Sequence, residues 1–495
     1  MQVDLVIVGA GFGGSLMAMI ARRLGLSVVL LEQGRHPRVV IGESATPLSN
    51  LLLEKLSMTY DLPRIAPLAK WGSWRRTYPH IACGLKRGFT FFHENGGQLL
   101  VAASPHDEIA DTHWYRADVD LFFVIEAQRL GVHYRDCARI ETLQIAEDSV
   151  NIHGAASDGP FRFEARLLID ATGPRGFLYR ILQLEEAPLP GLPATQALYS
   201  HFTGVARTED CDDANPYPVD DAAVHHVFPG GWVWVLRFSN GITSAGVAAT
   251  QDAAGEFRLS EGEAAWQRVL DRLPKLRAQF VQAVACQPFR YMPAVSFRSR
   301  KIAGQRWAML PSAAGFVDPL LSTGFPLTLL GIERMAQVLN HGYTLERYAD
   351  ETEQDLLAAN RLISALYSTM GNFDAFTAVT LIYFAAVSFS ETAQRLGKTE
   401  LASGFLLRER PEFWPAVNAL LRKASEFGDT RAFLEEVLRV IEPFNIGRFG
   451  DPAYCNRYPV RAADLMAARG KLTASEEEIV AMLARTGFAE RRTEG

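Results

Sequence analysis

Leu5-Val6-Ile7-Val8-Gly9-Ala10-Gly11-Phe12-Gly13-Gly14 is the stretch that decides the fold. Four consecutive apolar residues predict a strand buried on both faces, and the glycines after it predict a tight turn into a helix from about Gly13. A second apolar run, Ser27 to Leu31, ends at Glu32. Strand, glycine turn, helix, strand and terminal acid together make a dinucleotide-binding unit. In such a unit Gly9 permits the turn and Gly11 lets the backbone approach a pyrophosphate. Gly14 lets the helix pack closely on the strand, and Glu32 stands where a carboxylate meets ribose hydroxyls.

Two later segments extend this unit. Leu167 to Gly173 reads as a buried strand, Leu-Leu-Ile-Asp, breaking into a small-residue turn after Asp170. Trp307 to Leu310 is another strand, and Pro311 to Gly324 (PSAAGFVDPLLSTG) is the loop after it, with a helical pattern from about Leu327. Three strand-to-loop junctions spread so widely fit an extended cofactor lying across strand ends. No second glycine fingerprint follows a strand elsewhere, so no separate nicotinamide domain is expected.

The bounds agree with an enzyme. The chain has 495 residues, 48% of them apolar, enough for a large core and two or three structural units. A net charge of -6 with no cluster of Lys or Arg argues against a nucleic-acid partner. Cys83, Cys137, Cys211, Cys286 and Cys455 are scattered and lack metal-type spacing, so reduced thiols, no metal site and a cytoplasmic location are expected. The chain opens straight into its first strand, which leaves no room for a signal peptide. The uncharged stretch Ala375 to Ser390 is expected to be a buried helix lining a cavity, with membrane contact unlikely.

Residues 1–335 are expected to form the dinucleotide-binding α/β domain, interrupted by two insertions at about 46–110 and 185–300, and residues 336–495 a helical region. The first insertion carries a helix pattern (Leu48, Leu51, Leu52, Leu56) and the strand Gly88 to His93; the second alternates like a sheet, at Ala222 to Phe228 and Gly231 to Phe238. A helix starts within Tyr115 to Asp120 and runs to Gly131. Ser475 with Glu478 predicts a capping box for the last helix.

The junction segments resemble the FAD-dependent monooxygenase superfamily, which implies a Rossmann-type (GR2, monooxygenase-like) domain with a β-sheet substrate cover, and FAD as cofactor. That superfamily ends its flavin domain on a "GD…DP" loop; here Pro311-Ser312 replaces Gly-Asp, leaving the Ser312 hydroxyl to bond a ribityl oxygen. Within the superfamily, four elements in order are similar to the flavin-dependent halogenases over roughly residues 1–335: Gly42-Glu43-Ser44-Ala45-Thr46-Pro47, Lys70, Gly231-Trp232-Val233-Trp234, and Ser322-Thr323-Gly324. Two departures stand out. The GWxW element continues to Val235-Leu236-Arg237 rather than to Ile-Pro, and Leu321 stands where the tryptophan halogenases have a catalytic glutamate. The second points to the phenol, pyrrole or carrier-bound branches.

The resemblance implies a two-component halogenase. A separate reductase supplies FADH2, oxygen gives a flavin C4a-hydroperoxide, and halide attacks it to form hypohalous acid. Lys70 is the implied catalytic residue, passing halogen to an electron-rich aromatic substrate as a hydrogen-bonded acid or haloamine. Thr323 and Gly324 are implied to hold halide through backbone N–H groups, and Trp232 and Trp234 to lie near the flavin. The cofactor-binding set is Gly9, Gly11, Gly14, Glu32, Ser44, Arg116, Asp170, Ser312 and Asp318. Arg116 reads equally well as a contact to flavin phosphate or ribityl oxygens and as an i,i+4 partner of Asp120. Glu43 caps the following helix or relays protons, and His93 reads as structural; of His225 and His226, on alternate faces, one reaches the pocket. A monooxygenase or dehydrogenase without halide use is the main alternative, and a non-catalytic flavin- or lipid-binding protein is the third reading.

Overall fold

The computed structural model describes residues 1–208 and 212–488. Its first sheet has eight strands, ordered Ala303–Gly304, Trp307–Met309, Gly159–Asp170, Gln2–Val8, Val28–Leu31 and His133–Arg135, with Arg139–Ile145 and Val150–Ala156 packed beside the long strand. The four strands from Trp307–Met309 to Val28–Leu31 are parallel, with Val8 opposite both Leu31 and Asp170, and Asp170 opposite Met309. Junctions some 300 residues apart therefore end at one edge. Both faces are covered, which is why these strands read as continuous apolar runs.

Helix Phe12–Arg23 lies hard against this sheet. A Cβ on Gly14 would sit 1.9 Å from the Gly9 carbonyl oxygen, and Gly9 itself has φ +100° with the Ala171 backbone 2.7 Å from where its Cβ would be. Only glycine fits either position.

The second sheet is built from both insertions. Its order is Val284–Ala285, Thr195–Thr203, Thr243–Thr250, Gly231–Arg237, Ala223–Phe228, Gly88–His93, Gln98–Ala102 and Arg457–Tyr458, with Arg290–Met292 also on Thr195–Thr203. The insertions join where Ala223–Phe228 runs parallel to Gly88–His93. The last strand comes from the region expected to be helical, and it closes the sheet beside Gln98–Ala102. A pairing between residues so distant has no local pattern to announce it.

Helices Pro47–Thr59, Gly324–Leu339, Leu345–Thr369 and Phe373–Arg395 pack between the two sheets and the C-terminal segments. Phe373–Arg395 is long and apolar enough to cross a membrane, yet 78% of its most apolar window is buried inside the protein. It is a core helix, as Ala375 to Ser390 led us to expect. Helix Glu476–Thr486 starts with the Ser475–Glu478 capping box. Helix Pro47–Thr59 is capped by Thr46 with Ser49, so Glu43 has no capping role there.

Candidate active site

A cleft of ≈ 1010 Å³ opens where the parallel strands end, roofed by the second sheet. Gly9, Gly11, Glu32, Ser44, Arg116, Ser312 and Asp318 line it, as do Trp232, Trp234, Thr323 and Gly324. Two members of the expected cofactor set do not line it: Gly14, which packs against the Gly9 carbonyl, and Asp170. Asp170 is buried beneath the turn, where it accepts from Thr172 N–H and Oγ1 and from Leu178 N–H. It fastens the strand-to-loop junction rather than facing the cleft; an acid at a strand end has the same sequence signature in either role.

Glu32 accepts from Ala10 N–H at 2.9 Å and Gly34 N–H at 2.9 Å, and pairs with Arg38 at 3.3 Å. Burial pushes its carboxyl up, but Arg38 and the two N–H groups outweigh that and hold it below the usual range. Arg116 is buried and forks onto Asp120 at 2.9 and 3.0 Å. It also donates to the carbonyls of Ile41 and Gly42, and Asp120 accepts Phe12 N–H at the helix start. The ion-pair reading and the cleft position hold together: Arg116 ties the loop before Glu43 to the glycine turn.

Gly231–Arg237 presents Trp232, Trp234 and Leu236 to the cleft. Gly246, opposite Trp234, makes room for the indole, since a Cβ there would lie 2.4 Å from its ring. Trp232 Nε1 donates to Tyr367 Oη at 3.3 Å, and Tyr367 donates to Asp318 at 2.9 Å. Asp318 also accepts Leu320 N–H. Burial pushes the Asp318 carboxyl up to about 7. Arg237, where the motif departs, donates to the carbonyls of Val205 and Ala206 and fastens the strand's end.

Asp318 thus holds one side of the Pro319–Gly324 turn. Leu321 and Ser322 both adopt left-handed backbone, with φ +62° and +55°, costly for residues with side chains. Tyr383 Oη donates to the Leu321 carbonyl at 3.0 Å from the other side. Helix Gly324–Leu339 starts three residues before the expected Leu327, which puts Gly324 in its first turn, where N–H groups have no intrahelical acceptor. Two tyrosines from the C-terminal helices grip this turn, and neither was singled out in the sequence.

The lysine is where the structure departs most from expectation. Lys70 does not line the cleft. Its ammonium lies 3.5 Å from Glu54 and donates to the Thr486 carbonyl at 3.2 Å, beside a separate cavity. The lysine that meets the Gly42-Glu43-Ser44 segment is Lys86, wholly buried, donating to Ser44 Oγ at 2.9 Å and to the Ala45 carbonyl at 2.5 Å. Strand order explains this. Asp111–Trp114 carries the Glu43–Ala45 segment on one edge, through Ala45 N–H to Thr112 and Trp114 N–H to the Glu43 carbonyl. On its other edge it pairs with Cys83–Lys86, placing Lys86 opposite Asp111. A lysine inside the short run Cys83-Gly84-Leu85-Lys86, just before an apolar strand, was the available signal.

Lys86 stands between two spaces. Ser44 lines the cleft, while Phe89, whose ring centroid is 4.0 Å from the ammonium, and Asp111 line a second cavity of ≈ 160 Å³. Helix Phe373–Arg395 lines that cavity through Tyr383 and Phe384, as does the C-terminal segment around Phe449 and Met482. Burial pulls the Lys86 ammonium well down toward the neutral amine, opposed by the charge of Asp111. His225 lines the cleft and His226 does not; burial lowers His225 to about 3, so its imidazole is neutral. His93 bonds the Met370 carbonyl, a structural role.

Glu43 lines the cleft and pairs with buried His201 at 2.7 Å. Among the described residues no cluster could hold a metal ion. Cys83, Cys137, Cys286 and Cys455 are free thiols, and Cys211 lies outside the described residues.

The family model described as tryptophan halogenase matches residues 112–376, more than half of the chain. The chain belongs to that family. It is 29% identical over 411 residues to the tetracycline 7-halogenase of Kitasatospora aureofaciens, covering 77% of this chain and 73% of that protein. It is 28% identical over 395 residues to the monodechloroaminopyrrolnitrin halogenase PrnC of Pseudomonas fluorescens, covering 75% and 68%. Among solved structures, halogenase PltM in complex with phloroglucinol and FAD aligns with a TM-score of 0.80 at 25% identity, over 92% of this chain and 98% of that one. The resemblance to flavin-dependent halogenases and the fold it implies are borne out, and with them the class of enzyme, a flavin-dependent oxidoreductase.

Proposed function

We propose that this protein is an FADH2-dependent halogenase that oxidises halide with oxygen and halogenates an electron-rich aromatic substrate through Lys86. The observation that carries the reading is the position of Lys86, buried between the cleft and a separate cavity of ring size. An engineered cavity of about 150 Å³ is enough to hold benzene.

The cleft fits FAD by its own geometry: glycines admit no side chain at the turn, a helix N-terminus faces the space, and Glu32 is held ionised for ribose. When bound and reduced, FAD supplies with oxygen the oxidising equivalent for halide. In this reading Thr323 and Gly324 hold halide through backbone N–H groups, and Asp318 and Tyr383 fix their turn. Ser44 and the Ala45 carbonyl orient Lys86. Its depressed basicity makes the neutral amine accessible, and that amine attacks hypohalous acid at halogen, displaces hydroxide and becomes a haloamine facing the substrate cavity. Excluding bulk water between the two spaces protects that intermediate.

Relatives give the substrate range its support: one is named for tetracycline, another as a chlorinase of pyrrole-2-carbonyl on a peptidyl-carrier protein, and PltM was crystallised with phloroglucinol. A separate reductase as electron donor and a cytoplasmic setting complete the proposal.

The test supplies reduced FAD, oxygen and bromide with a panel of phenols, pyrroles and indoles, and reads product mass for the halogen isotope pattern. Lys86→Met should bind FAD and reoxidise it normally yet yield no halogenated product, with free hypohalous acid caught by a scavenger. Lys70→Ala should retain product formation. Loss of product in Lys70→Ala with retention in Lys86→Met would return the role to Lys70. A hydroxylated product independent of halide would identify a monooxygenase instead.

A further inference from the structure

We infer that Asp111 is a catalytic residue of the ring-sized cavity, accepting the hydroxyl proton of a phenolic substrate while Lys86 delivers halogen to the ring. This rests on the functional reading above and adds to it a substrate chemistry and the group that recognises it.

Asp111 sits directly opposite Lys86 in the strand pair, lines the cavity, and is buried. Its Oδ1 accepts from Asn50 Nδ2 at 2.7 Å, whereas Oδ2 has no hydrogen-bond partner. A buried carboxylate oxygen left without a partner is costly unless something completes it. The charged groups nearest it are already paired. Arg395 bonds Glu391 at 2.6 Å and Glu54 at 3.1 Å, and Lys70 lies 3.5 Å from Glu54. The Tyr383 hydroxyl is spent on the Leu321 carbonyl. Asp111 Oδ2 is therefore an open acceptor in the cavity, and the hydroxyl of a ring-sized substrate would complete it.

The groups that face Asp111 set its readiness. Burial and Glu391 push its carboxyl up, while Lys86, Asn50 and Arg395 hold it down. A carboxyl raised in this way is a stronger base than an ordinary aspartate.

The step balances as follows. With the haloamine protonated, the ring carbon forms its bond to halogen as the N–halogen bond breaks and its electron pair returns to the Lys86 nitrogen. The phenolic proton passes to Asp111, leaving a neutral dienone. Lys86 then takes the proton from the halogenated carbon, and Asp111 returns its proton to the phenolate oxygen. The products are halophenol, lysine ammonium and aspartate. The carbon nucleophile is oxidised by the halogen that the halide oxidation supplied.

The experiment measures binding of phenol and of toluene, its methyl isostere, to the FAD-loaded wild type and to Asp111→Asn, without turnover. Volume and apolar burial cancel in the double difference, leaving the coupling between hydroxyl and carboxylate. A preference for phenol over toluene at least tenfold larger in the wild type than in the variant supports the inference, as expected for a hydrogen bond to a charged group. A smaller coupling overturns it. Should Asp111→Asn fail to fold, equal binding of phenol and toluene by the wild type overturns it without the variant, and a tenfold preference for phenol supports it. The bromide assay separates the two readings: a wild type that makes no halogenated product refutes the halogenase, while the binding cycle still decides Asp111.

Discussion

Replacing Tyr383 with Phe removes one oxygen atom and tests how the turn proposed to bind halide is held. In the wild type that hydroxyl donates to the Leu321 carbonyl at 3.0 Å, in the middle of a turn whose residues 321 and 322 are both left-handed. Leu321 is fully buried, so its carbonyl gains no water when the tyrosine hydroxyl is lost. Leaving such a group unsatisfied costs about 1–3 kcal/mol. The turn already carries left-handed strain of about 1–3 kcal/mol at each of two residues. The cheap escape is to relax the turn, which moves the N–H groups of Thr323 and Gly324. If about 1.4 kcal/mol of the loss appears in halide binding, the bromide KM rises about tenfold. The phenyl ring that lines the substrate cavity is retained, so the KM for aromatic substrate should stay within about twofold, and FAD affinity likewise. Initial rates against bromide concentration, with FAD titration and a melting curve on the same preparation, check all three. A bromide KM unchanged in a folded Tyr383→Phe variant would refute the claim that this tyrosine shapes the halide site.

Gly11→Val should abolish FAD binding and leave the fold intact, because Gly11 has ordinary extended backbone and its Cβ would project toward Arg116 and Arg38 in the cleft; Gly14→Val, driven against the Gly9 carbonyl, should fail to fold. Flavin titration and circular dichroism separate the two. Asp318 has its carboxyl raised to about 7 from an ordinary 3.8, so in the apo-protein it binds its proton more tightly folded than unfolded. Stability then falls as pH rises between those values, by up to about 4 kcal/mol, and Asp318→Asn should flatten that part of the wild-type profile in urea unfolding, with the variant the more stable at pH 8. Parallel profiles would show that Asp318 carries its charge at no cost.

The local features were legible because short-range chemistry dictates them. A four-residue apolar strand and a glycine turn specify their own geometry, and the Gly9–Gly14 reading fixed the sheet edge from which the cleft follows. Trp232 and Trp234 face the cleft together because strand residues two apart share a face. What escaped were groups whose role depends on two distant segments meeting. Lys86 gains its position only because Asp111–Trp114 carries the Ser44 segment on one edge and Cys83–Lys86 on the other. Tyr367 and Tyr383 look like ordinary helix-core aromatics until their hydroxyls are seen on Asp318 and Leu321. Asp170 fails in the opposite sense: its place at a strand end is right, and its oxygens are consumed by the turn.

The order of groups through the protein supplies the last step. From the cleft inward stand the turn at Thr323 and Gly324, then Lys86 beyond Ser44, then Asp111 in the second cavity. Burial draws Lys86 toward the neutral amine while Asp111 opposite draws it back toward the ammonium, so removing that carboxylate would leave burial unopposed. In our proposal the same carboxylate, raised by burial, is the base that takes the phenolic proton. Lys70, half-buried with its ammonium 3.5 Å from Glu54, lines the second cavity but does not meet the Ser44 segment. In the mechanism we propose, burial of the pair, rather than either residue type, is what would turn a lysine and an aspartate into a halogen donor and a proton acceptor.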